Sequence, residues 1–448
     1  MVDVRKPCRH IAVVSIDWLR PKDPTVSLAH GSLLAAIRQD KSLCVHSFCF
    51  AANSVRFNAF DAAREILKSV SAHTKSTTET EICFGAYVWN DALIRSIIRN
   101  IRDLGFAGRI VLGGPQITYC GPTLESLYPD VDIFIRGYAE DALRQLEIAG
   151  SPDKIPGVHV AGRSDGMIQG QSDLDSLPSP YLTSEIEVEQ PHGFIRWETQ
   201  RGCPYDCSFC QHREAAPLRK RRFAWQRIEE EVAFFARQNV ADIAVVDPIF
   251  NLGSHALYVL EEFDRRRYSP RLSLQCRFEL VNQEFLKLCS RVGCRLEFGL
   301  QTVDAREGDA VNRVNDLSRV SDVLSELRGQ GIAFEVSIIY GLPEQTLESF
   351  RETVGFLMRN RVPTIRAFPL MLLRGTALER DRQRWHLRES QNLIPVVIES
   401  SSFSVQDWVV MNAIANALEQ TVGQHPAAVD DLCLSADIPN SAETFMRA

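Results

Sequence analysis

Short β-branched runs alternate with amphipathic stretches twice along this chain, and that double alternation restricts it to a small set of parallel α/β folds. In the first series, strands are expected at residues 11–16, 43–50, 81–87, 109–112 and 132–135, with helices near 28–38, 59–71, 93–103 and 140–147. This pattern predicts a doubly wound, Rossmann-like parallel sheet over residues 1–150, with its ligand beyond the carboxyl ends of the strands. A less regular stretch, 151–190, carries Pro156, Gly157, Gly162, Gly166 and Gly170 and ends in Leu177-Pro178-Ser179-Pro180-Tyr181; two prolines around one serine hold the backbone extended, which predicts a linker. Six further strands, near 194–199, 241–246, 272–278, 295–300, 333–340 and 364–370, alternate with helices and predict a partial (β/α)6 TIM barrel over 191–375. Residues 376–448 form a C-terminal extension with one helix expected at 406–418 and a loosely ordered tail after Gly423.

With 448 residues and 45% hydrophobic content the chain can bury more than one core, and it is too apolar to be disordered. A net charge of −7 gives no electrostatic reason to bind nucleic acid or an anionic membrane, so the expected partner is a small-molecule or peptide substrate. No apolar run is long enough to span a bilayer. Arg5, Lys6, Arg9 and His10 lead straight into a strand-like segment instead of an apolar leader. The expected location is therefore cytoplasmic, and the twelve cysteines are expected to be thiols.

Three of those cysteines are grouped. Arg201-Gly202-Cys203-Pro204-Tyr205-Asp206-Cys207-Ser208-Phe209-Cys210 is a C-x3-C-x2-C array directly after an expected strand. Three thiolates on one loop can hold three irons of a [4Fe–4S] cluster and leave the fourth without a protein ligand. That open iron can chelate the amino and carboxylate groups of S-adenosylmethionine (SAM) beside an electron source. The alternative is a zinc knot that adds His212, although zinc sites usually pair C-x2-C with a second, distant pair.

On this array the sequence resembles the radical SAM superfamily, whose signature has the spacing C-x3-C-x-Phe-C. Similar segments recur after later strands: Val246-Asp247-Pro248-Ile249-Phe250, Phe298-Gly299-Leu300-Gln301-Thr302, Gly341-Leu342-Pro343-Glu344-Gln345-Thr346 and Arg374-Gly375-Thr376. The resemblance implies that Phe209 contacts the adenine through its backbone, that Gln301 faces the SAM ribose, and that Asn312 and Arg313 lie near the SAM carboxylate. It also implies that Asp247 and Ser337 line the pocket; Arg277, a charge within an apolar run, is either pocket-lining or a strand end. Val245-Val246-Asp247 stands where many members carry a Gly-Gly-Glu that grips the methionyl amine.

The first 180 residues resemble the cobalamin (B12)-binding domain that precedes the barrel in one branch of this superfamily, including the Leu-Pro-Ser-Pro-Tyr linker. Gly113, Gly114 and Pro115 close one expected strand, and with Gln116 and His30-Gly31 they would flank the corrinoid tail. The Asp-x-His-x-x-Gly motif that gives cobalt a histidine elsewhere is absent, so this motif supplies no ligand below the metal.

The resemblance implies a cobalamin-dependent methyltransferase that cleaves SAM reductively and methylates an unactivated carbon. The alternative weighed beside it transfers a 3-amino-3-carboxypropyl group to a soft acceptor, with a first domain that has lost cobalamin. Either reaction needs an electron donor of flavodoxin or ferredoxin type, which the basic run Arg219-Lys220-Arg221-Arg222 could attract; a solvated loop is the plainer reading of that run. Cys276, Cys289 and Cys294 are expected to be core residues, with a second metal site as the less ordinary reading.

Overall fold

The computed structural model describes residues 9–73, 80–148, 151–188, 193–212 and 221–435. The chain divides into two compact units, Met1–Ile195 with Phe223–Gln238, and Arg196–Arg222 with Asn239–Ala448.

In the first unit, β1 (Arg9–Asp17), β2 (Leu43–Ala51), β3 (Thr80–Gly85), β4 (Arg109–Gly113), β5 (Ile133–Ile135) and β6 (Val158–Val160) make one sheet in the order β2-β1-β3-β4-β5-β6. The first five strands pair in parallel and β6 is antiparallel. Successive side chains of β1 point to opposite faces, and both faces are covered. Ala12, Val14 and Ile16 share a core with Ile66 and Ile97 of the helices Ala59–His73 and Asp91–Asp103. Ile11 and Val13 pack with Leu34 of the helix Leu28–Ile37 and Leu143 of the helix Glu140–Ile148. The strand order reverses between β1 and β3, which opens a crevice at the carboxyl ends there.

The short strand β6 was not among the sequence expectations, since three residues inside a glycine-rich stretch show no period. Residues 151–188, expected to connect two domains, fold onto the first unit. Tyr181 is buried edge-on to Phe235 with ring centroids 5.1 Å apart, and the Leu177 carbonyl accepts a 2.9 Å hydrogen bond from Arg227.

In the second unit, β7 (Phe194–Trp197) begins at the unit boundary. The short pair β8 (Gln200–Arg201) and β9 (Arg221–Arg222) follows, then β10 (Asp242–Val245), β11 (Arg271–Cys276), β12 (Cys294–Gln301), β13 (Ala333–Tyr340) and β14 (Ile365–Pro369). The main sheet runs β14-β13-β12-β11-β10-β7, with β10 to β14 parallel and in chain order, as a partial barrel requires. On β12, Leu296, Phe298 and Leu300 are fully buried while Arg295, Glu297, Gly299 and Gln301 are only half-buried. The same alternation on β11 and β13 gives the sheet one apolar face and one polar face.

The C-terminal helix is Val405–Gln420, opened by a capping box between Ser404 and Asp407. The described part of the tail after Gly423, up to Ser435, is more ordered than expected: Val429–Asp431 and Leu432–Ser435 are short helical turns, and Leu432 is fully buried. Ten described cysteines are free thiols, but Cys44 is disulfide-bonded, against the expectation that all are thiols. Among the described residues no helix is long and apolar enough to cross a membrane.

Candidate active site

The cysteine loop leaves β8 at Gly202, whose φ of 87° turns the chain sharply. Cys207 is buried, and Cys203 and Cys210 are half-buried. Several residues fix this loop by its backbone. Ser208 N donates to the Val311 carbonyl at 2.9 Å, Asn312 Nδ2 to the Asp206 carbonyl at 3.0 Å, and Leu378 N to the Ser208 carbonyl at 2.9 Å. Gln211 Nε2 adds a 2.7 Å bond to the Arg374 carbonyl.

Burial raises the Cys203 thiol, and it lifts Cys210 to about 11. Arg313 opposes this at both sulfurs and hydrogen-bonds the Cys207 sulfur. As bare thiols Cys203 and Cys210 would hold their protons, whereas a bound metal would displace them and restore charge balance beside the guanidinium. Among the described residues no three His, Cys, Asp or Glu side chains converge as the ligands of one metal ion would. A cluster takes one thiolate per iron, so its ligands need not meet at a point, and this donor set fits a cluster.

Arg277 and Arg313 reach the cysteine loop, through Tyr205 and Cys207, while Gln301 and Ser337 lie beside Gly299 on the sheet. Arg313 donates to the Gly299 carbonyl, while its Nε is buried without a partner among the described residues. An orphaned donor of this kind suits a carboxylate ligand, and SAM carries one. Gln301 ends β12 beside a register shift, with φ 73°. Ser337 pairs with Gly299 across the sheet and is half-buried on the polar face. Arg277 is almost fully buried, pairs with Glu279, and stacks 3.6 Å from the centroid of the Tyr205 ring within the cysteine loop. Phe209 is half-buried on that loop.

Asp247 departs from the expectation that it lines the pocket. It is wholly buried, and its carboxylate accepts Thr199 N at 2.8 Å, Gln200 N at 3.2 Å and the Thr199 hydroxyl. His255 Nε2 joins the same network 3.1 Å from Thr199 Oγ1. Asp247 therefore holds the strand end that leads into the cysteine loop and offers no surface to a ligand.

Gln345 and Glu307 were missed by the sequence reading, although Gln345 lies in a motif singled out above. Gln345 is fully buried; its Oε1 accepts Gly341 N at 2.6 Å, and its Nε2 donates to Glu307 Oε2 and the Ile339 carbonyl, both at 3.1 Å. Thr302 donates to the same Glu307 oxygen at 2.6 Å, which ties the loops after β12 and β13 together. Cys276, Cys289 and Cys294 are buried, and Cys289 hydrogen-bonds Cys294 as part of the core.

Residues 197–357 match the family model described as the Radical SAM superfamily. Most of that span lies in the second unit. The chain is 25% identical to the cobalamin-dependent radical SAM methyltransferase TokK of Streptomyces tokunonensis, over 62% of this chain and 44% of that protein. It is 24% identical to the 2-(S-pantetheinyl)-carbapenam-3-carboxylate methyltransferase of Streptantibioticus cattleyicolor, over 73% of this chain and 54% of that one. The chain thus spans about half the length of these relatives. In fold it is similar to the radical SAM methyltransferase TsrM from Kitasatospora setae, solved with tryptophan and a SAM analogue. The TM-score is 0.68 at 18% identity, covering 86% of this chain and 79% of that one.

In the first unit the fit to a corrinoid rests on the loops after β3 and β4. Gly114 has φ 95°, and a Cβ there would lie 2.6 Å from the Ala86 carbonyl oxygen, so the two loops meet through bare backbone. Tyr87 and Trp89 stack at 4.6 Å beyond β3, and Trp89 Nε1 is buried without a partner among the described residues. Trp18, just beyond β1, is 47% exposed. An aromatic, largely apolar surface with an unmet donor at the strand ends suits a broad flat ligand with polar edges. His30 and Gly31, expected to flank the corrinoid tail, are instead buried: His30 Nε2 bonds Ser47 at 2.8 Å, and a Cβ on Gly31 would meet Ile186 at 2.6 Å.

Proposed function

We propose that this chain is a cobalamin-dependent radical SAM methyltransferase acting on an unactivated carbon of a small natural-product or peptide substrate. The observation that carries the reading is the meeting of Cys203, Cys207 and Cys210 with Arg313, whose Nε has no partner among the described residues, beside the bulged end of β12 at Gln301. When bound, the cluster and cobalamin would supply a reducing electron and a methyl carrier. The protein's own part is to bind and orient. The three thiolates would anchor the iron, Arg313 would pair the SAM carboxylate, and Gln301 would face the ribose. Asp247 and Arg277 would keep the cysteine loop in register. In the first unit, Gly113, Gly114, Pro115 and the Tyr87–Trp89 stack would seat the corrinoid. The likeness to TokK and the carbapenam methyltransferase supports methyl transfer, while neither relative is described as transferring an aminocarboxypropyl group.

The test is anaerobic reconstitution with iron, sulfide and SAM, with and without cobalamin, followed by mass spectrometry of the nucleosides. The expected products with cobalamin and substrate are 5′-deoxyadenosine and S-adenosylhomocysteine. Methylthioadenosine as the main product, or tightly held zinc in place of iron, overturns the reading.

A further inference from the structure

We propose that the arginine-rich segment 374–388 is the docking surface for a small acidic protein that delivers one electron to the cluster; this rests on the reading above. The segment carries Arg374, Arg380, Arg382, Arg384 and Arg388 against Glu379 and Asp381, a local excess of positive charge in a chain whose net charge is −7. Two hydrogen bonds hang it on the cysteine loop: Leu378 N to the Ser208 carbonyl at 2.9 Å, and Gln211 Nε2 to the Arg374 carbonyl at 2.7 Å. A partner bound here therefore sits against the backbone that carries Cys207 and Cys210.

Arg380, Arg382, Arg384 and Arg388 are all exposed. Arg382 and Arg388 already pair with Glu389 and Glu399. Arg380 instead donates to the Gly375 carbonyl at 3.0 Å, and Arg384 lies over the Trp385 ring at 4.5 Å, so both keep their charge available to a partner. Arg222 adds another exposed cation on β9, which pairs with β8 directly before the cysteine loop. Arg219 and Lys220 of the same basic run lie outside the described residues.

The arrangement favours a protein over a small anion. A small-anion site needs convergent, desolvated donors, whereas these arginines are spread over an exposed turn. Dispersed surface charge steers the encounter with a large, oppositely charged body, and its effect weakens as salt screens it. In the step itself the donor loses one electron and the cluster gains it, with no bond made or broken between the two proteins.

The test compares wild type with Arg380→Glu/Arg384→Glu and with a control of equal charge change on the outer helix Gln283–Val292, Lys287→Glu/Arg291→Glu. Binding of a purified, strongly acidic flavodoxin to each reconstituted protein is measured from low to high salt, and SAM cleavage is driven by that flavodoxin or by dithionite. The expected result is binding weakened about tenfold at low salt in the Arg380/Arg384 variant alone, converging with wild type at high salt, and dithionite-driven cleavage unchanged. Equal binding by all three proteins overturns the proposal. So does an equal loss in the control, or a loss of dithionite-driven cleavage as large as the loss with flavodoxin, which would give these arginines to the site itself. Failure of wild type to cleave SAM with dithionite would count against the radical SAM assignment and leave the binding comparison readable.

Discussion

The Arg277 guanidinium lies over the Tyr205 ring, 3.6 Å from its centroid, and so braces the cysteine loop from the end of β11. A desolvated cation over an aromatic face contributes on the order of 1–2 kcal/mol, enough to slow the opening of a loop held otherwise by a few backbone bonds. Arg277→Met, which keeps the stem and removes the charge, is expected to speed iron release to a chelator several-fold. Arg277→Lys should fall between, because an ammonium keeps the charge but loses the stacking plane. Iron-release kinetics after reconstitution check this, and equal rates for all three proteins would show that the stack does not restrain the loop.

Asp247 makes the stability of the second unit depend on pH. Burial raises its carboxyl from 3.8 to about 7, despite the hydrogen bonds from Thr199 and Gln200. The unfolded chain ionises Asp247 near pH 3.8 while the folded chain keeps the proton up to about 7. The contribution to stability is therefore complete below pH 3.8, falls as pH rises toward 7, and is flat above, a span on the order of 4 kcal/mol. Asp247→Asn cannot titrate, so its stability relative to wild type should improve steadily between those limits. Denaturant titrations at several pH values check the slope.

The alternation of strand and helix was readable because residues such as Leu296, Phe298 and Leu300 repeat with period two and are flanked by amphipathic helices. The grouping of Cys203, Cys207 and Cys210 on one loop was readable because it is set by local spacing. Asp247 was not: whether a carboxylate after a strand faces a pocket or the backbone of Thr199 depends on how β7 and β10 lie together, which no local pattern encodes. His30 failed for the same reason, since it lies on the helix Leu28–Ile37 and its partner Ser47 comes from β2. Gln345 and Glu307 are buried polar groups joined to each other across 38 residues, a pairing that hydrophobic periodicity passes over.

Gly299 leaves room for Gln301. A Cβ at Gly299 would fall 2.7 Å from Gln301 Nε2, the far end of a flexible side chain, and 3.7 Å from the Arg313 guanidinium. Gly299→Ala should therefore displace Gln301 cheaply, changing global stability by less than about 1 kcal/mol. If Gln301 faces the ribose, SAM affinity should still fall about tenfold, the worth of roughly 1.4 kcal/mol. Equilibrium dialysis with SAM beside a thermal melt separates the two effects; unchanged affinity would remove Gln301 from the binding site.

Gly114 and Gly105 form a matched pair for the first unit. Both have positive φ, 95° and 88°, but a Cβ at Gly105 meets nothing within 4 Å while one at Gly114 would lie 2.6 Å from the Ala86 oxygen and 2.8 Å from its nitrogen. Alanine at Gly105 should cost only the left-handed backbone, about 1 kcal/mol. Alanine at Gly114 must also push two backbone loops apart, because neither contacted atom belongs to a side chain that can swing away. Gly114→Ala should thus destabilise the first unit by at least about 2 kcal/mol more than Gly105→Ala. It should also weaken cobalamin binding, followed by the change in corrin absorbance on titration. Since Gly105 lies at the other end of the helix Asp91–Asp103, away from the strand ends, its variant should bind cobalamin as wild type does. Equal corrinoid affinity in both variants would move the ligand away from the loops after β3 and β4.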